Sequence, residues 1–371
     1  MNTVLLFAEF GNSGGTRTYA KQLVDLFSDR GYSLYVVSTN SGDEEFRAYC
    51  DQRGVTYDES LSKVPDSFLG RLVRPIMGRV KETRIMKSHS RMIVPDVVIS
   101  SAGTPGRLLG SRFGFSPDIY LLHTYPTPSA RRWREFFDRL FFSLRLPRKT
   151  RYLTVSQASK SHTQAVWGMR NSRFRFDVIF STAGAPVPRQ AKLTREPFTV
   201  LTVGHVANYK GPDIWLETAQ RVLQEIPNCR FVWLGDGDLL EDYRQKIVGL
   251  GLEKQVIFPG HASNVEEYFI AADVYFQPSR VESLGLSVLD SMRIGIPSVV
   301  SSHGGLCEVV VDGVTGFIVD PLDSDLAAKR IIALHKTPTL AIEMGNNARE
   351  RYQDCFGPEI WKENILAIVE G

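Results

Sequence analysis

The chain has 371 residues, 43% of them apolar, and a formal net charge of +3. That length suits two ordinary domains with sizeable cores, and the small net charge excludes a partner chosen by bulk charge alone. Four scattered cysteines (Cys50, Cys229, Cys307, Cys355) contain no Cys-x-x-Cys pair, which argues against a zinc site or a disulfide framework and for a reducing cytoplasm. No apolar run in the sequence approaches the roughly 18 residues of a membrane span.

The opening MNTVLLFAEFG lacks a basic leader and reads as a first β-strand, Thr3 to Ala8. Gly11-Asn12-Ser13-Gly14-Gly15 follows and opens a helix running to about Arg30. Strand, glycine loop and helix suit an anion, because glycine permits close backbone approach and a helix N-terminus favours negative charge. The spacing is neither the dinucleotide Gly-x-Gly-x-x-Gly nor a P-loop. Ser33–Ser38, Asp96–Ser100 and Ile119–Leu122 are further strand candidates, and their alternation with helical segments predicts a parallel sheet covered on both faces. His123 follows Leu122 at a carboxyl rim.

Two stretches of this half are basic. Residues 63–91 carry eight Lys/Arg against Asp66 and Glu82, and residues 131–151 carry eight against Glu135 and Asp138, a net of +6 each. Within 129–146, Trp133, Phe136, Phe137, Leu140, Phe141 and Leu144 fall on one helical face, decorated by arginines. Such a helix can pack on a sheet or lie on an anionic membrane. Peripheral contact through 63–91 and 129–151 is therefore an expectation, with a cytoplasmic location at the inner membrane face. No motif supports nucleic-acid binding.

Arg151–Val155 reads as a strand, followed by a helix to about Trp167, and residues 185–197 contain three prolines and suit a linker. The second half begins with the strand Phe198–Val203, then Gly204-His205 and Lys210-Gly211. Arg230–Leu234 and Val256–Gly260 are further strands, the second followed by a helix over 264–271. Asp273–Phe276 is a short buried strand ended by Pro278 and Ser279. Leu284–Ile294 has helical spacing and stops at Gly295; Ser298–Val300 is the next strand, and Gly304-Gly305 opens the next helix. Ligands of a parallel sheet sit beyond strand carboxyl ends, so Glu282 and the Gly304-Gly305 turn share a rim. Gln277 and Arg280 are polar neighbours with no role assigned from sequence.

Glu282, seven residues, Asp290, then Gly295-Ile296-Pro297 and Gly304-Gly305-x-x-Glu308 resemble the donor-site signature of retaining GT-B glycosyltransferases of family 4. The usual second Glu is Asp290 here, and the usual Arg of the Gly-Arg-…-Lys-Gly segment is His205. The resemblance implies an α/β chain of two Rossmann-like domains facing each other across a cleft. An acceptor domain over 1–184 and a donor domain over 198–356 would be joined by the 185–197 linker, with a C-terminal helix (357–371) crossing back to the first domain.

The implied activity is retaining transfer of a hexosyl or N-acetylhexosaminyl group from a UDP- or GDP-linked sugar. The acceptor would be a hydroxyl of a glycan or lipid-linked molecule in polysaccharide, O-antigen or glycolipid synthesis. Glu282, His123 and Lys210 would be catalytic. Gly14, Gly15, Gly204, His205, Lys210, Glu282, Ser283, Leu284, Gly285, Leu286 and Asp290 would bind the donor. Neither cofactor nor metal is implied. A nucleotide-sugar epimerase or a degenerate binding protein on the same fold is the alternative.

Overall fold

The computed structural model describes residues 2–8, 14–38, 42–59, 87–102, 117–125, 149–167, 174–187 and 197–371. They form two compact units, Met1–Ile179 with Ala367–Gly371, and Phe180–Leu366.

The first unit contains β1 (Thr3–Ala8), α1 (Gly15–Asp29), β2 (Ser33–Ser38), α2 (Glu44–Asp51), β3 (Thr56–Asp58), β4 (Val97–Ala102), β5 (Ile119–Leu122), β6 (Arg151–Thr154), α3 (Gln157–Trp167) and β7 (Arg175–Val178). The seven strands pair in parallel in the order 3-2-1-4-5-6-7. β1 lies centrally and is buried from Val4 to Ala8, as its near-continuous apolar run requires. α1 buries Tyr19, Ala20, Leu23, Val24 and Phe27, one stripe at helical spacing. Its N-cap is Gly14 at φ 99°, a conformation that favours glycine. Asp43 caps α2 by accepting the Phe46 N–H at 3.0 Å. The amphipathic stretch 129–146 and most of the basic stretch 63–91 lie outside the described residues.

The second unit contains β8 (Thr199–Val203), α4 (Pro212–Glu225), β9 (Arg230–Leu234), α5 (Leu240–Gly249), β10 (Val256–Gly260), α6 (Val265–Ala271), β11 (Val274–Gln277), α7 (Leu286–Ile294), β12 (Ser298–Ser301), α8 (Leu306–Val309), β13 (Gly316–Val319), α9 (Ser324–Lys336), α10 (Pro338–Phe356) and α11 (Pro358–Glu370). Its six strands, also parallel, run 10-9-8-11-12-13. The last residues of α11, from Ala367, belong to the first unit, where Tyr32 Oη donates to Glu370 at 2.7 Å. α7 starts two residues later than its apolar spacing predicts. Gly285 takes φ 100° as N-cap, so Leu284 is buried ahead of the helix.

Residues 180–187 pack on the second unit. Tyr352 Oη donates to Gly184 O at 2.6 Å and accepts the Ala183 N–H at 3.0 Å, while Arg293 donates to Ala185 O at 3.3 Å. Residues 188–196 of the expected linker lie outside the described residues.

The core of the second unit is aromatic. Trp215 meets Phe231, Trp233 and Phe258 edge-on at 5.5, 5.3 and 5.2 Å between ring centroids. Both indoles find acceptors: Trp215 Nε1 donates to Thr202 Oγ1 at 2.8 Å and Trp233 Nε1 to Gly204 O at 2.9 Å. The second bond ties the core to a loop at the sheet's carboxyl edge. Trp233→Phe strands a partly buried carbonyl and leaves space beside it. It should lower the unfolding free energy of this unit by roughly 1–3 kcal/mol, read as a lower denaturant midpoint at unchanged slope.

Candidate functional site

β8 and β11 are adjacent, and chain connections leave them toward opposite edges of the second sheet. A crevice therefore opens between their carboxyl ends, the usual ligand place in open parallel sheets. Gly204 follows β8 and Pro278 follows β11. Thr202 Oγ1 braces the two strands by donating to Phe276 O at 2.5 Å.

Lys210 ends a single 3-10 turn, Asn208–Lys210, that crosses this crevice. Its Nζ lies 2.5 Å from Glu282 Oε2, with 16% and 14% of the two side chains exposed, so the pair is shielded enough to interact strongly. Gln277 Nε2 donates to the same Oε2 at 2.5 Å. Arg280 laces the two loops together. Its backbone N–H donates to Tyr209 O at 2.8 Å, its side chain donates to Asn208 O at 2.9 Å, and it grips both carboxylate oxygens of Asp213. The Arg280 hydrogen bonds hold the Asp213 carboxyl below its ordinary range.

The glycines here serve close approach. A Cβ on Gly211 (φ 74°) would lie 2.3 Å from Pro278 O, and one on Gly235 would lie 2.3 Å from Gly204 O. Gly305 brings its N–H to Glu282 O at 3.0 Å, and a Cβ there would lie 2.3 Å from Ser283 O and 2.7 Å from Leu284 Cα. Ser283 to Leu286 is thus backbone pressed against backbone, leading into the first turn of α7. Leu286 and Ser287 present the unpaired amides that every helix start carries. His205 is exposed beside Gly204.

Asp290 lies one turn into α7. Arg293 Nε donates to its Oδ1 at 2.9 Å and Arg293 Nη2 to Glu266 at 2.8 Å. Burial raises the Asp290 carboxyl to about 6 against the pull of Arg293, although 29% of the side chain stays accessible. Its Oδ2 has no hydrogen-bond partner among the described residues.

The remaining candidates, Gly14, Gly15 and His123, belong to the first unit. His123 follows β5, bonds Ser101 Oγ through Nε2 at 2.9 Å and packs on Tyr19 at 4.4 Å between centroids. Burial lowers its imidazole to about 4, so it is neutral near pH 7. The second unit by itself gathers Gly204, Lys210, Glu282 and Ser283–Leu286 at one crevice. Sequence reasoning left Gln277 and Arg280 without a role. The available signal was a polar residue closing the otherwise apolar strand Val274–Gln277.

Among the described residues, no group of three or more His, Cys, Asp or Glu side chains could hold a metal ion, and no helix is long and apolar enough to cross a membrane.

Residues 187–351 match the family model for glycosyl transferases group 1. The chain is 27% identical over 355 residues to an uncharacterized glycosyltransferase of Haemophilus influenzae, covering 93% of each. Over 122 residues it is 33% identical to the Vi polysaccharide biosynthesis protein VipC/TviE of Salmonella typhi, which is 32% of this chain and 21% of that protein. The fold matches Anabaena Alr3699/HepE, solved in complex with UDP and glucose, at a TM-score of 0.75 and 20% identity, covering 99% of both chains. The chain has the fold of GT-B glycosyltransferases, and residues 187–351 are similar to the glycosyl transferases group 1.

Proposed function

We propose that this chain transfers a hexosyl or N-acetylhexosaminyl group, with retention, from a UDP-sugar to a hydroxyl of a glycan or lipid-linked acceptor in polysaccharide synthesis. The observation that carries the reading is the shielded Lys210–Glu282 pair at the switch point of the second sheet. The choice of UDP is supported by the structural likeness to a protein solved with UDP and glucose. Polysaccharide synthesis is supported by the Salmonella relative, and an anionic lipid-linked acceptor by the two basic stretches of the first half.

When the bond between the sugar and the diphosphate breaks, negative charge grows on the leaving phosphate oxygen. Lys210 and the first amides of α7 supply fixed positive charge there, in a site that needs no reorganisation. The reading asks for no metal. Glu282 accepts hydrogen bonds from sugar hydroxyls and orients the ring. The acceptor hydroxyl attacks from the face the diphosphate leaves, and its proton passes to the departing phosphate oxygen. The products are the new glycoside and protonated UDP. His123, being neutral, offers a hydrogen bond rather than a charge. Asp290 takes the ribose hydroxyls through Oδ2, and Gly204 and His205 line the diphosphate.

UDP at about 100 times its dissociation constant should stabilise the protein by about 2.7 kcal/mol, seen as a raised melting temperature, with GDP, ADP and CMP giving less. Lys210→Ala should abolish that shift. Glu282→Ala should keep it while slowing UDP release from the cognate UDP-sugar by roughly a hundredfold or more. Absence of a shift with every nucleotide would move the chain to a binding role.

Asp290 gives the reading a pH signature. Its folded carboxyl keeps a proton up to about 6, above the ordinary value of 3.8, so acidification through 6 removes the anion that holds the ribose. UDP affinity should therefore fall between pH 7 and pH 5, and Asp290→Asn should weaken binding at pH 7 and flatten the profile. The linkage to folding has the opposite sign. The folded state binds more protons than the unfolded chain between about 4 and 6, so this group's contribution to stability declines as pH rises through that window.

A further inference from the structure

Gln277 is 2% exposed and Tyr275 fully buried, both on β11, the strand that delivers Glu282 to the crevice. The Val203 N–H donates to Tyr275 Oη at 3.4 Å, and Tyr275 Oη donates to Gln277 Oε1 at 2.8 Å. Gln277 Nε2 then donates to Glu282 Oε2 at 2.5 Å and to Ser279 Oγ at 3.2 Å. The bonds from Val203 through Tyr275 and Gln277 to Glu282 point the same way, from the β8 backbone toward one carboxylate oxygen. Such a chain polarises itself, and the 2.8 Å bond to Gln277 is shorter than the Tyr275 hydroxyl's contact with Val203 O at 3.3 Å. The carboxylate fixes the amide orientation: it accepts only from the NH2 end, which turns the C=O end to the Tyr275 hydroxyl.

Lys210 Nζ reaches that same Oε2 at 2.5 Å. Glu282 Oε1 has no hydrogen-bond partner among the described residues. One oxygen of the carboxylate is held by two donors, and the other is left to work.

We propose that Gln277, braced by Tyr275, is the positioning residue of this site: it anchors Glu282 through Oε2 and so presents Oε1 to the donor sugar. The idea rests on the donor-site reading above and adds the residue that sets its geometry. Lys210 alone would not fix the carboxylate, because an ammonium on a flexible stem follows its partner, whereas a buried amide with both ends bonded does not. Gln277 therefore controls rate rather than nucleotide affinity.

Three variants test this. Gln277→Met keeps size and burial but removes all three side-chain hydrogen bonds. UDP should raise its melting temperature as it does the wild type's, while UDP release from UDP-glucose and UDP-N-acetylglucosamine should fall roughly 10- to 100-fold in kcat, since small misplacements of a reacting group cost that much. Tyr275→Phe should act in the same direction. Gln277→Glu sets a second carboxylate against Glu282. The charged and titratable groups facing it are Glu282, Lys210 from the 208–210 turn and Tyr275, with Asp290 acting from α7. Two facing carboxylates can keep their hydrogen bond only by sharing a proton. Activity of Gln277→Glu should therefore recover on acidification, when its acid O–H stands in for the amide N–H. Its melting temperature should fall, relative to wild type, from pH 5 to pH 8, and adding Glu282→Gln should cancel that fall.

Wild-type kcat in Gln277→Met, or a Gln277→Glu melting profile parallel to wild type, overturns the proposal. If the wild type neither responds to UDP nor releases it, the donor reading fails, and the melting-temperature cycle between positions 277 and 282 still decides whether the relay exists. If Gln277→Met does not fold, unchanged kcat in Tyr275→Phe together with no 277–282 coupling is the overturning result.

Discussion

Glu282 Oε2 accepts from Lys210 and from Gln277, each at 2.5 Å, and these two bonds join the parts of the crevice that come from different places in the chain. Lys210 arrives on the turn after β8. Gln277 ends β11, and Glu282 stands on the loop that follows it. Shielding strengthens both bonds, and the same shielding would make an unpartnered carboxylate costly there. The surrounding contacts can be understood as keeping those three side chains in place. Arg280 laces the two loops, and Gly211 lets one pass against Pro278. Gly305 accepts the close approach of Ser283 and Leu284.

The aromatic core reaches the same place from below. Trp215 and Trp233 fill the space under β8 and β9, and each spends its N–H on the sheet's carboxyl side, at Thr202 and at Gly204. Thr202 in turn bonds Phe276 O on β11. Packing and site geometry are thus linked by directional bonds, so a core substitution that only removes an N–H bears on the loop above it. The first unit is built on the same strand order around β1, with His123 beyond β5, held by Ser101 and Tyr19 and kept neutral by burial.

Much of the fold is legible in the residues. The short apolar runs at 3–8, 199–203 and 274–277 read as buried strands, and the glycines and prolines after them mark the rims. Helix limits were less legible where a glycine takes a left-handed conformation. Gly285 delays α7 by two residues because Leu284 is needed in the core. Glu282 and Lys210 stand out through the motif, but their ion pair does not, since 72 residues separate them. Gln277 reads in sequence as a polar residue closing an apolar strand, and nothing local says which way its amide points.

The sequence by itself determined the class of the protein. Alternating apolar runs and amphipathic helices dictate parallel α/β layers, because backbone hydrogen bonding and burial leave few other arrangements. Its second half carries a signature dense enough to name the chemistry. Only the tertiary structure decided which oxygen of Glu282 is held and which is left open, that Asp290 is paired with Arg293 and its carboxyl raised to about 6, and that Tyr275 stands behind Gln277. Those outcomes depend on distances and burial between residues far apart in the chain. Periodicity and motif spacing report only on neighbours, so they carry no trace of them.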